Sequence, residues 1–177
     1  MDIENIDKNF ESIVKEIVID KELANSIIKS WKTLTNSEKK EVVNYVRKHK
    51  QNINKLVDFL SDIGEIRKPD ISIKNIGEMV GETVSTIASV LVIGTPLFAT
   101  SMTTLPLGLN LIAGTLSVGL SGILGSLAFN ELIESKPFKK LIHGIKTHLG
   151  LKKIEEKLSK LGHIIEERAK GVLHKII

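Results

Sequence analysis

TVSTIASVLVIGTPLFATSMTTLPLGLNLIAGTLSVGLSGILGSLAFN, residues 83–130, contains no Asp, Glu, Lys, Arg or His. It makes up more than a quarter of a 177-residue chain in which 26% of residues are charged. Its middle, IGTPLFATSMTTLPLG (93–108), has the glycines and prolines of a turn but none of the charged residues that a surface turn usually carries. Gly94, Pro96 and Pro106 are expected to break the chain there, with an uncharged helix on either side. The second helix, 107–130, is about 36 Å long at 1.5 Å per residue, enough to cross a hydrocarbon layer of about 30 Å. The first reaches that length only if it runs from Thr83 through a kink at Pro96. Residues 72–133 therefore read as a hydrophobic helical hairpin.

The flanks read differently. In residues 1–68 the apolar positions recur at spacings of three and four. Ile3, Ile6, Phe10, Ile13, Val14 and Ile17 share one helix face, and Leu23, Ala24, Ile27, Ile28 and Trp31 share another. Asp20 is placed to cap the second helix. TNSE (35–38) has the form of a capping box and predicts a third helix, with a break near His49–Asn52. Gly64 suits the left-handed stop of the next helix. GEIRKPDIS is a loop, and a helix is expected to restart near Ser72. Residues 136–177 return to amphipathic form. Phe138, Leu141, Ile142, Ile145 and Leu149 make one stripe, with Lys139, Lys140, His143 and Lys146 opposite. Beyond Gly150 a last stripe runs through Leu151, Ile154, Leu158, Leu161, Ile165 and Val172. No strand-like alternation of useful length is present. The predicted fold is all-α: a single domain, 1–177, of about seven or eight helices, with amphipathic helices surrounding a central hydrophobic hairpin.

Charge is divided along the chain. Residues 1–82 hold 14 Lys and Arg against 15 Asp and Glu, whereas residues 131–177 hold 11 against 6. The basic tail suits an anionic lipid surface better than nucleic acid, because aromatics are only 4% of the chain and an apolar block lies alongside. Four of the five histidines, His143, His148, His163 and His174, also lie in the tail. A free histidine titrates near pH 6.5, so these are candidate pH sensors.

Enzyme signatures are missing. GLSGILG (119–125) follows no strand and lacks the Gly-Lys-Ser/Thr of a phosphate loop; its small residues suit close helix packing. There is no Cys, which removes disulfides, thiolate nucleophiles and Cys-based zinc sites. His143 and His148 point to different faces, and His163 and His174 are three turns apart, so neither is a metal pair. In NIGEMVGE, Glu78 and Glu82 are one turn apart and read as the polar start of the apolar helix. No catalytic residue, metal or cofactor is expected.

A hairpin that pushes its own tip through a bilayer has a reason to exclude charge: each Asp, Lys or Arg costs about 2.5–3.5 kcal/mol at the membrane centre. Gly94, Pro96, Phe98, Thr100, Met102 and Pro106 would form that tip. Lys136, Lys139, Lys140 and Lys146 would stay behind as a lipid-contacting basic flank. This plan resembles the channel-forming domain of pore-forming colicins, and also the diphtheria toxin translocation domain. The resemblance lies in organisation: amphipathic helices, the uncharged 83–130 hairpin, then basic helices. It implies a soluble bundle that opens at a membrane, inserts the hairpin and acts as a toxin or bacteriocin, with an anionic bilayer as partner, an immunity protein as counterpart and self-association in the membrane. The start, MDIENIDKNFESIVKEI, has acids where a secretory signal is basic, so synthesis in the cytoplasm and action at a membrane after release are expected. The other readings of the same block are a resident two-span membrane protein, holin-like or an anchor, and a soluble helical interaction or immunity module.

Overall fold

The computed structural model describes residues 3–68, 77–99, 131, 132 and 134–176. They form seven helices: α1 Ile3–Ile17, α2 Lys21–Lys32, α3 Asn36–Lys48, α4 Lys50–Asp62, α5 Glu78–Phe98, α6 Lys136–Leu149 and α7 Leu151–Ile176. No strand occurs among the described residues. A single antiparallel bridge between Val18 and Ile66 ties the α1–α2 link to the segment after α4, supported by Arg67 N–H donating to the Ile17 carbonyl at 2.7 Å.

Local chemistry sets the helix ends where the sequence predicts them. The Asp20 carboxylate accepts from the Leu23 N–H at 3.0 Å. Glu38 N–H donates to Thr35 Oγ1 at 3.2 Å and Thr35 N–H donates back to Glu38 Oε2 at 2.7 Å, a complete capping box. His49 divides α3 from α4. Gly64, at φ 77°, and Gly150, at φ 90°, turn the chain after α4 and after α6 in a region that disfavours a side chain.

The hydrophobic faces then meet around α5. Ile6, Phe10, Leu23, Trp31, Leu56 and Phe138 are all buried in one cluster to which every helix contributes. Phe10 stacks on Trp31 with ring centroids 4.3 Å apart. Between α2 and α6 the backbones come close: Ser30 Oγ donates to the Leu141 carbonyl at 2.7 Å, and a Cβ built on Gly144 would fall 2.3 Å from Ser30 Oγ. Gly144 is the position that lets the two helices meet.

Two expectations need correction. Gly94 and Pro96 do not break the chain, because α5 runs through both to Phe98. Proline removes its own N–H and crowds the carbonyl four residues back, that of Val92, but burial of Val92, Ile93 and Leu97 in the core holds the last turn helical around it. Ala99 N–H still closes that turn on the Thr95 carbonyl at 2.9 Å. Leu151, expected on the stripe of α7, is 46% exposed: it shares the face of Ile154 and Leu161 but is the first residue of that helix. Ser72 and residues 100–130, including the second half of the predicted hairpin, lie outside the described residues.

Candidate functional site: the central helix and its polar collar

From Met79 to Phe98, α5 is long and apolar enough to cross a membrane, and 89% of an apolar 18-residue window within it is buried inside the protein. The helix packs against all six other helices. It is apolar around its whole circumference, which is why no single face points to solvent.

Its polar side chains are satisfied within the helix itself. Thr83, Ser85 and Ser89 each donate a hydroxyl to the carbonyl four residues back at 2.7 Å, and Thr86 does so at 2.8 Å. None of the four therefore relies on a neighbouring helix for its hydrogen bond. Thr95 is the exception: its hydroxyl is fully buried and has no partner among the described residues.

Charge gathers at the start of α5. Glu82 pairs with Lys50 of α4, and Arg47 Nη2 donates to the Met79 sulfur at 2.9 Å. Glu82 is thus part of an ion pair at the polar start of the helix. On the far side of the uncharged segment, Glu131 accepts from the Tyr45 hydroxyl at 3.1 Å. Burial, reinforced by that carboxylate, pushes the Tyr45 phenol up to about 12.

The predicted tip residues fall in two groups. Gly94 and Pro96 are buried in the last turns of α5, and Phe98 is half-buried at its end. Thr100, Met102 and Pro106 lie outside the described residues. The basic flank also divides. Lys136, Lys139, His143 and Lys146 are spaced three, four and three apart on the side of α6 opposite buried Phe138, Leu141 and Ile145, and the three lysines make no ion pair among the described residues. Lys140 leaves that stripe and pairs with Glu38 at 3.1 Å. His143, His148 and His163 are exposed; the His174 side chain lies outside the described residues.

Compared with known protein families, curated proteins and solved structures, the chain matches none. The geometry therefore carries the functional argument alone. No group of three or more metal-ligating side chains occurs among the described residues.

One cluster went unread in the sequence. Lys39 is only 6% exposed, and its ammonium donates to Asp7 Oδ1 at 2.7 Å. Trp31 Nε1 donates to the same oxygen at 2.8 Å, and the Lys39 ammonium lies 5.6 Å from the centre of a Trp31 ring. Partial burial would raise the Asp7 pKa, but the bonds from Lys39 and Trp31 outweigh it and hold the carboxyl below its ordinary value. The signal was the position of Lys39, three and four residues before Val42 and Val43 on the buried face of α3. The second unread feature is a set of ion pairs from α6 and α7 to α2 and its cap, α3 and the loop after α4. Lys140 meets Glu38, Lys153 meets Glu22, Lys157 meets Asp20 and Lys160 meets Glu65.

Proposed function

We propose that the protein is a membrane-inserting pore former, a colicin-like toxin or bacteriocin whose soluble bundle opens to release the 83–130 segment into a bilayer. The observation that carries this reading is α5: a membrane-length helix, apolar all round, held at the centre of amphipathic helices. A helix that must leave protein for lipid has to bring its polar groups already satisfied, since a lone hydrogen-bonding group in hydrocarbon costs several kcal/mol. The four hydroxyl bonds to carbonyls four residues back meet that need for Thr83, Ser85, Thr86 and Ser89, leaving Thr95 to find a partner on the way. The amphipathic helices cover α5 with protein, whereas a resident membrane span would face lipid.

The stripe of exposed Lys136, Lys139 and His143 and half-buried Lys146 extends about 15 Å along α6 and supplies the first contact with an anionic surface. It follows the uncharged segment directly, so binding there holds the hairpin against the membrane. The protein acts at the target membrane after release from the cell that makes it, and self-associates there.

Dye release tests the proposal. Detergent-free protein is added to vesicles rich in phosphatidylglycerol, at pH 7 and pH 5 and at low and high salt. Rapid release that weakens in high salt is the expected result. Well-folded protein that binds no vesicles and releases no dye would make α5 a soluble core helix and leave the chain an interaction module.

A further inference from the structure

Helix α7 is held to the bundle by a thin seam. Ile154 and Leu161 are its buried hydrophobic side chains among the described residues, Leu158 is partly buried, and Leu151 faces solvent. Beside that seam Lys153, Lys157 and Lys160 follow one another at spacings of four and three, on one face of the helix. Each ends on a carboxylate of the N-terminal half: Glu22 of α2, the Asp20 cap of α2, and Glu65 after α4, the last at 3.2 Å. Lys157, Lys160 and Leu161 also line a small crevice whose floor is Val92, Ile93 and Pro96 of α5. The basic edge of α7 thus lies over the Pro96 end of the central helix, the end that leads into the uncharged turn.

Resting on the pore-forming reading, we infer that Lys153, Lys157 and Lys160 form an electrostatic latch opened by the phosphates of anionic lipid headgroups. The three ammonium groups can be held by the bundle's carboxylates or by a dense array of phosphates, but not by both. Partly exposed ion pairs are individually weak and yield to competing anions, so a surface presenting many phosphates displaces them together. With the pairs broken, the short apolar seam holds α7 poorly. Its departure uncovers the end of α5 that must enter the bilayer first. The latch couples release of the hydrophobic helix to arrival at the correct surface and keeps α5 covered in solution.

The chain has no cysteine, so Lys29→Cys on α2 and Glu156→Cys on α7 give two clean, exposed sites for spin labels. Electron spin resonance reads the α2–α7 distance in buffer, with phosphatidylglycerol vesicles, with phosphatidylcholine vesicles, and with inorganic phosphate at matched ionic strength. Dye release is followed in parallel. The distance should lengthen with phosphatidylglycerol alone. Glu22→Gln/Glu65→Gln keeps every lysine and should open at a lower fraction of anionic lipid, with release several-fold faster. The swap Glu22→Lys/Lys153→Glu restores a pair and should return the closed behaviour. Opening by inorganic phosphate alone would overturn recognition of a surface. An unchanged distance while dye escapes would overturn the latch and leave the pore former standing. A lengthened distance without dye release would keep the latch and remove the pore former. No change in either would remove both.

Discussion

Replacing Gly144 by alanine puts a methyl group 2.3 Å from Ser30 Oγ, closer than carbon can rest, and 3.2 Å from Ser30 Cβ, a tight contact. Ser30 cannot simply turn away, because its hydroxyl is fully buried and committed to the Leu141 carbonyl at 2.7 Å. The α2 and α6 backbones must separate or the hydrogen bond must break. Overpacking of this kind costs about 1–3 kcal/mol. Alanine recovers up to about 1 kcal/mol of helix propensity over glycine. The net expectation is destabilisation by about 1–2 kcal/mol, or roughly 2–8 °C in Tm for a chain of this size. Ser30→Ala alone loses one buried hydrogen bond, about 1 kcal/mol. In the double variant the oxygen is gone and only the 3.2 Å contact remains, so the two losses should fall short of adding, with coupling of about 1 kcal/mol. Urea denaturation of the four proteins measures this cycle. Because α2 and α6 both pack on α5, Gly144→Ala should also release vesicle dye faster than the parent. A Gly144→Ala midpoint equal to or above the parent's, or strict additivity in the cycle, would refute the close contact.

Other outcomes follow from the charge map. Asp7, Asp20 and Glu38 are held below their ordinary values and Glu11 at about 2, so each stabilises the fold fully above its unfolded pKa and loses that contribution as pH falls through its folded pKa. Acid unfolding should therefore set in below about pH 4, not between pH 7 and pH 5; circular dichroism against pH checks it, and Lys39→Met should cost about 1 kcal/mol at pH 7 and flatten that acid limb. Replacing His143, His148, His163 and His174 by Gln should abolish any stimulation of dye release between pH 7 and pH 5; a response that persists would place the control in carboxylates near the hairpin. Thr100→Asp or Met102→Lys should block release while leaving the urea midpoint nearly unchanged, since each puts a charge where the uncharged turn must cross the membrane.

Much of the scaffold is legible in the sequence because its determinants are local. The Asp20 cap, the Thr35–Glu38 box and the stop at Gly64 each depend on residues within four positions of one another. The central place of α5 is legible too, since a helix without a polar face has nowhere else to go. Pro96 misled because local chemistry marks it as a breaker, while tertiary packing keeps it helical in a buried last turn. The partners of Lys140, Lys153, Lys157 and Lys160 lie 95 to 137 residues away in the chain, and no spacing rule reaches that far. The division of the tail into an unpaired stripe on α6 and a paired edge on α7 is therefore visible only in three dimensions.

Photolabelling from within the bilayer tests most directly whether α5 leaves the bundle for lipid. Phosphatidylglycerol vesicles carrying a diazirine at the end of one acyl chain are mixed with unmodified protein, irradiated, and the protein is digested and mapped by mass spectrometry. Label concentrated within residues 83–98, and missing with phosphatidylcholine vesicles, is the predicted result. Label confined to α6 and α7, with residues 83–98 unmodified, would show a protein that rests on the membrane with its apolar helix still inside.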